Sequence, residues 1–118
     1  MLLSWTLPAE RSLETEPREQ ALVPRTNLMA DAEGYHLVVE MPGVTRENLQ
    51  ITLENNALAL RGERPGHPEG ATLLVDGRHA ERPFERRFSL GRDIDPAKIT
   101  AKLQDGLLYV TLPITEET

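Results

Sequence analysis

Residues 49–60 read LQITLENNALAL, in which Leu49, Ile51 and Leu53 alternate with Gln50 and Thr52 up to an Asn55-Asn56 pair, after which Leu58 and Leu60 resume. Apolar side chains at every second position turn one face of an extended strand toward a core. Adjacent asparagines tolerate the positive φ that a tight antiparallel turn demands, so the stretch predicts a β-hairpin. The pattern recurs at residues 99–112, ITAKLQDGLLYVTL. There Ile99, Ala101 and Leu103 alternate with Thr100 and Lys102, Asp105-Gly106 turns the chain, and Leu108, Val110 and Leu112 follow. Upstream, the period of two starts at Thr26. Tyr35, Leu37, Val39 and Met41 form a half-buried strand that Pro42-Gly43 stops, and Phe88 and Leu90 alternate with Arg87 and Ser89. Seven or eight short strands with no sustained helical period predict an all-β chain folded as an antiparallel β-sandwich.

Composition sets the outer bounds. A chain of 118 residues accommodates one domain, and Leu, Ile, Val and Phe make up about a quarter of it, enough to build a core. The formal charge of −6 and only five aromatic residues argue against a nucleic-acid partner, which calls for positive charge and stacking rings. No apolar run is long enough to span a bilayer, and residues 1–7 are too short and lack the leading positive charge of a signal peptide. The absence of cysteine excludes a disulfide scaffold or thiol chemistry and fits a cytoplasmic setting.

Three segments are expected: an N-terminal arm over residues 1–24, a body over 25–113 and a short tail over 114–118. The arm holds Pro8, Pro17 and Pro24, and Pro17 interrupts any helical turn over residues 9–21. Leu2, Leu3, Trp5 and Leu7 cluster at its start, either as a docking element or as incidental hydrophobes on a flexible arm. Between Gly62 and Phe84 lies an unusually long connection with Pro65 and Pro68. It contains a strand-like run, Thr72, Leu73, Leu74 and Val75, closed by Asp76-Gly77. The pattern leaves two readings open: a strand that reaches a neighbouring subunit, or a loop with a local hairpin.

Enzymatic templates are nearly empty. His36, His67 and His79 are isolated, no metal-ligand spacing occurs, and neither a nucleophile elbow nor a phosphate loop is present. Asp93-Ile94-Asp95 lacks the glycine and terminal glutamate of a calcium loop; Asp95 before Pro96 instead predicts a short helical turn over Ala97 and Lys98. The carboxylates scatter over outward-facing positions. No catalytic residue, metal or cofactor is therefore expected, and a binding or assembly module remains.

The stretch EMPGVTRENLQITLENNALALRGER (40–64) and the stretch FERRFSLGRDIDPAKITAKLQDGLLYVTLP (84–113) resemble the α-crystallin domain of small heat-shock proteins, bacterial type. Met41-Pro42-Gly43-Val44, Gly62-Glu63-Arg64, the F-x-R-x-F run at Phe84, Arg86 and Phe88, and Ala101 followed by Asp105-Gly106-Leu107-Leu108 carry the likeness. The resemblance implies an immunoglobulin-like sandwich and a homodimer formed by exchanging Thr72, Leu73, Leu74 and Val75, with Arg86 at the subunit interface. It also implies an ATP-independent holdase without enzymatic activity, which keeps partly unfolded client proteins from aggregating. Clients or a tail segment would occupy a groove bordered by Leu49, Ile51, Leu53, Ile99, Ala101 and Leu103, and the arm residues Leu2, Leu3, Trp5 and Leu7 would also contact clients.

This chain departs from the family pattern in three places. Gly91 stands where proline is usual, the arm lacks phenylalanine, and Leu112 and Ile114 copy the spelling of a tail anchor directly after the last strand, without a spacer. Dimers or small assemblies are therefore expected rather than a large shell. The competing reading is an adaptor or co-chaperone that binds one specific partner; a sugar-binding sandwich lacks an aromatic platform and ranks last.

Overall fold

The computed structural model describes residues 21–77 and 82–115. The arm cluster at Leu2, Leu3, Trp5 and Leu7, the helical turn expected over residues 9–21 (save Ala21) and His79 lie outside these residues. Seven strands follow in chain order: β1 (Thr26–Asp31), β2 (Gly34–Glu40), β3 (Leu49–Glu54), β4 (Ala57–Gly62), β5 (Phe84–Ser89), β6 (Thr100–Gln104) and β7 (Leu107–Pro113). They form a four-stranded sheet in the order β1-β2-β7-β6 and a three-stranded sheet in the order β3-β4-β5, with every strand pair antiparallel. The fold is the all-β sandwich that the alternating pattern predicted.

Turn chemistry sets the hairpin registers. Asn55 (φ 52°) and Asn56 (φ 61°) both adopt the left-handed conformation between β3 and β4, and Asp105 (φ 51°) and Gly106 (φ 79°) do the same between β6 and β7. Both pairs are the two-residue turns expected. At Pro42-Gly43 the Val44 amide closes onto the Met41 carbonyl at 3.2 Å. Asp95 caps the single helical turn Pro96–Lys98 by accepting from the Ala97 amide at 3.1 Å, also as expected.

The core takes the inward residues of both sheets: Leu37, Val39, Leu108, Val110 and Leu112 from one, Leu49, Ile51, Leu53, Leu58 and Leu60 from the other. Met41, Val44, Phe84, Ile94 and Ile99 close its ends, and no polar or charged residue among those described is buried. Each fully buried leucine contributes on the order of 2 kcal/mol by leaving water, so the period-two pattern is also the main source of stability.

Three local expectations change. Strand β1 is additional to the strand expected at Tyr35–Met41, and pairs with it through a tight turn at Ala32 and Glu33. Of the two readings of the long connection, the local hairpin does not form among the described residues: Thr72–Val75 is no strand within the chain, and Gly77 does not take up a left-handed turn. A four-residue segment between Gly70 and Gly77 that pairs with no edge of its own subunit has no ladder, and propensity alone does not hold an isolated strand. Finally, Leu22 and Ile114, just outside the two ends expected for the body, form bridges with Phe84 and Ile94.

Candidate functional site

The sandwich has two open sides, and each pairs an edge strand of one sheet with an edge strand of the other. On the first side β3 faces β6. Leu49 and Ile51 from β3, Ala101 and Leu103 from β6, and Leu108 as the floor line a cleft of about 230 Å³, with Arg46 and Lys102 completing its lining. The alternation that built the strands makes the cleft apolar, because inward side chains at a sheet edge are only partly covered. Ala101 and Leu103 are half-buried, whereas Leu49, Ile51 and Leu108 are buried. An apolar slot between the edge strands of two sheets is suited to an extended segment that places alternate side chains in the slot.

Four of the six residues expected at this groove line it. Leu53 and Ile99 do not; both are buried in the core. Leu53 sits toward the Asn55-Asn56 turn, and Ile99 precedes β6 directly after the Asp95-Pro96 turn, so neither reaches the cleft. Sequence reasoning missed Arg46, Lys102 and Leu108. Lys102 was accessible to it, since a lysine between two inward residues of an edge strand falls at the rim.

On the second side lie β1 and β5. Leu28 pairs across the ladder with Leu37 and so faces the inner side of its sheet, yet it is 60% exposed where Leu37 is 1% exposed. An inward apolar residue is left open at that edge. From the other sheet, Phe84, Arg86 and Phe88 lie opposite Gly62, Leu60 and Leu58, which places Arg86 on the inner face as well. Arg86 is half-buried, stacks with its guanidinium carbon 5.2 Å from the Phe88 ring centroid and donates to the Pro24 carbonyl at 3.3 Å. Arg64 lies 4.5 Å over Phe84 and donates to the Arg82 carbonyl at 3.0 Å, pinning the base of the long connection. Farther out, Leu74 (88% exposed) and Val75 (81%) stand in solvent, with Leu73 partly covered.

The tail pair is engaged within the body. Leu112 is 2% exposed, in the core, while Ile114 bridges Ile94 and donates its amide to the Glu33 carbonyl at 3.1 Å. Among the described residues no group of three His, Cys, Asp or Glu side chains is arranged to hold a metal, and no helix is long and apolar enough to cross a membrane.

A model of the Hsp20/alpha crystallin family matches residues 27–118, most of the chain. The chain belongs to the Hsp20/α-crystallin family. Among its relatives are small heat shock protein C4 of Rickettsia felis, 30% identical over 115 residues, covering 93% of this chain and 68% of that one, and the 18 kDa antigen of Mycobacterium leprae, 36% identical over 113 residues, covering 92% and 71%. Its match thus spans about two thirds of the length of these Hsp20 relatives. Similar solved structures include a small heat-shock protein from Xylella fastidiosa, with TM-score 0.72, 26% identity and coverage of 81% and 89%. Heat shock protein 16.0 from Schizosaccharomyces pombe follows with TM-score 0.67, 28% identity and coverage of 82% and 91%. Membership in the Hsp20 family carries a chaperone function, with oligomer formation and client binding, and the family is generally non-enzymatic.

Proposed function

We propose that this Hsp20 protein is a cytoplasmic, ATP-independent holdase without enzymatic activity, built on a strand-exchanged homodimer. The observation that carries the dimer is the open β1–β5 side. Strand β1 is an edge whose inward Leu28 is exposed, and the same chain extends the apolar run Leu73-Leu74-Val75 into solvent on a long connection. A strand laid along β1 from a second copy pairs the free backbone groups and covers Leu28. It also arrives beside Arg86, whose planar guanidinium suits a partly buried pairing across the interface.

For clients, the β3–β6 cleft and the arm residues Leu2, Leu3, Trp5 and Leu7 supply apolar surface to exposed segments of an unfolding chain. Light scattering from two unrelated aggregating proteins tests this without nucleotide. Suppression of both at near-stoichiometric ratios is expected; protection of only one of them would favour an adaptor with a dedicated partner.

A further inference from the structure

We propose that the connection between β4 and β5 is built to present the Thr72–Val75 run: Arg64 fixes its root, and a turn over Pro68–Ala71 sets its aim. Arg64 and Gly70 are then positioning residues for dimerisation, acting without touching the second copy. The inference rests on the strand-exchanged dimer and concerns what makes that exchange favourable.

The root is a single side chain that joins both stems. Strand β4 ends at Gly62 and β5 begins at Phe84, and these two residues are ladder partners, so the connection leaves and re-enters the sandwich at one place. Arg64 sits on the outgoing stem. Its guanidinium carbon lies 4.5 Å over the ring of Phe84, and its Nη2 donates to the Arg82 carbonyl at 3.0 Å, both on the incoming stem. A Cβ added at Gly43 would stand 3.3 Å from Arg64 Cδ and 3.4 Å from its Cγ, so the aliphatic part lies along the Pro42-Gly43 turn. Backbone bonds brace the same end: the Glu63 amide donates to the Asn48 carbonyl at 3.0 Å and the Leu22 amide to the Pro83 carbonyl at 2.8 Å.

Beyond Arg64 packing supplies little, since every residue from 65 to 77 is exposed. Local geometry shapes this stretch instead. Pro65 and Pro68 fix their own φ and disfavour helical geometry at Arg64 and His67. The Ala71 amide then donates to the Pro68 carbonyl at 3.0 Å, with Gly70 at φ +89° between them. That is a type II turn, which requires a positive φ at its third residue. Thr72 follows it directly, and Leu73, Leu74 and Val75 stand in solvent. Apolar side chains held in water are unfavourable for a lone subunit. Presented by a turn that is already formed, they can be covered by a second copy with little further ordering of the chain, and a smaller ordering cost means a tighter dimer.

A Cβ at Gly70 meets nothing within 4 Å, so substitution there changes the preference for positive φ and no packing. Gly70→Val should weaken the dimer about tenfold, the equilibrium equivalent of forcing one β-branched residue into the left-handed region. Gly70→Asn, which tolerates that region, should weaken it less. Gly77→Val puts the same side chain on the same connection at an ordinary φ with equally open space, and should leave the affinity within about twofold. Arg64→Gln, which removes the guanidinium from Phe84 and Arg82, should also weaken the dimer about tenfold at a temperature where every variant is folded. Dissociation constants come from sedimentation velocity over a concentration series, and denaturant unfolding in the monomer range measures the domain by itself. The expected result is a Gly70→Val subunit as stable as the wild type and weaker as a dimer. Wild-type affinity in Gly70→Val or in Arg64→Gln, or equal losses from Gly70→Val and Gly77→Val, overturns the inference and leaves the dimer in place. A wild type that sediments as a monomer throughout overturns the exchange reading itself, and the inference falls with it.

Discussion

Arg86 on β5 donates to the carbonyl of Pro24 at 3.3 Å, tying the inner face of one sheet to the segment that enters the edge strand of the other. The same guanidinium stacks on Phe88, so its removal takes away a charge-assisted hydrogen bond and a ring contact together. Arg86→Ala should cost about 1–3 kcal/mol of dimer or thermal stability. Arg86→Lys, which keeps the charge and loses the plane, should fall between. Denaturant unfolding at two protein concentrations separates the subunit from the interface contribution. A loss within about half a kcal/mol would make Arg86 an ordinary surface side chain.

Removal of Thr72–Val75 should convert the dimer to monomer in sedimentation velocity while the far-ultraviolet spectrum keeps its β signature. No core residue lies in that run. An unchanged dimer would place the interface elsewhere.

Leu112→Ala should destabilise the domain by about 2–5 kcal/mol, as expected for a leucine emptied from a packed interior. Ile114→Ala, at a site 37% exposed, should cost less than about 1.5 kcal/mol. Comparable losses at the two positions would mean that the tail pair acts as one unit.

Gly34 has φ +147°, and a Cβ there would run into the carbonyl oxygen of Leu112 and the backbone of Pro113. Gly34→Ala should therefore cost more than about 2 kcal/mol, whereas Gly77→Ala, with nothing near the added carbon, should stay within about half a kcal/mol. Thermal melts of the two variants are sufficient to check this.

Asp31 holds the β1–β2 turn. Its Oδ1 accepts from the Glu33 amide at 2.9 Å and the Gly34 amide at 3.2 Å, and its Oδ2 lies 3.0 Å from His36 Nε2. The Glu33 amide first, and His36 after it, hold the Asp31 carboxyl below its ordinary value. A depressed carboxylate stabilises the fold above its unfolded pKa of about 4, and that contribution fades as pH falls through the folded value. Asp31→Asn should melt below the wild type at pH 7, with the gap closing toward pH 2. A gap independent of pH would assign the effect to turn geometry instead of charge.

Much of the fold was legible because its decisive residues act locally. The Asn55-Asn56 and Asp105-Gly106 turns, and the two-residue period around them, need no knowledge of the rest of the chain. The period of two was read from Thr26, but β1 was not set off as a strand of its own because Leu28, Met29 and Ala30 interrupt the alternation; an edge strand with nothing buried has no reason to alternate. The groove was legible only in part for a related reason. Leu49 and Leu53 occupy equivalent places in the pattern of β3, and only the position of the second sheet decides that one borders the cleft and the other is sealed. The same limit applied to Thr72–Val75, where local composition suggested a strand and the missing ingredient was an edge to lie against.

Strand β1 also sets an order of events on heating. None of its residues is buried, so the ladder to β2 and the Asp31 turn hold it, and not the interior. Such a strand opens in a subglobal step of lower free energy than the rest of the domain, and its amides exchange with solvent before those of β2 or β7. Warming thus frays this margin of the sandwich while β3 on the other side, with Leu49, Ile51 and Leu53 buried, keeps its place. If β1 carries the proposed dimer contact, the protein releases its neighbour at a temperature where its core is still intact, and its thermal response is graded where a fully cooperative sandwich would have a single threshold.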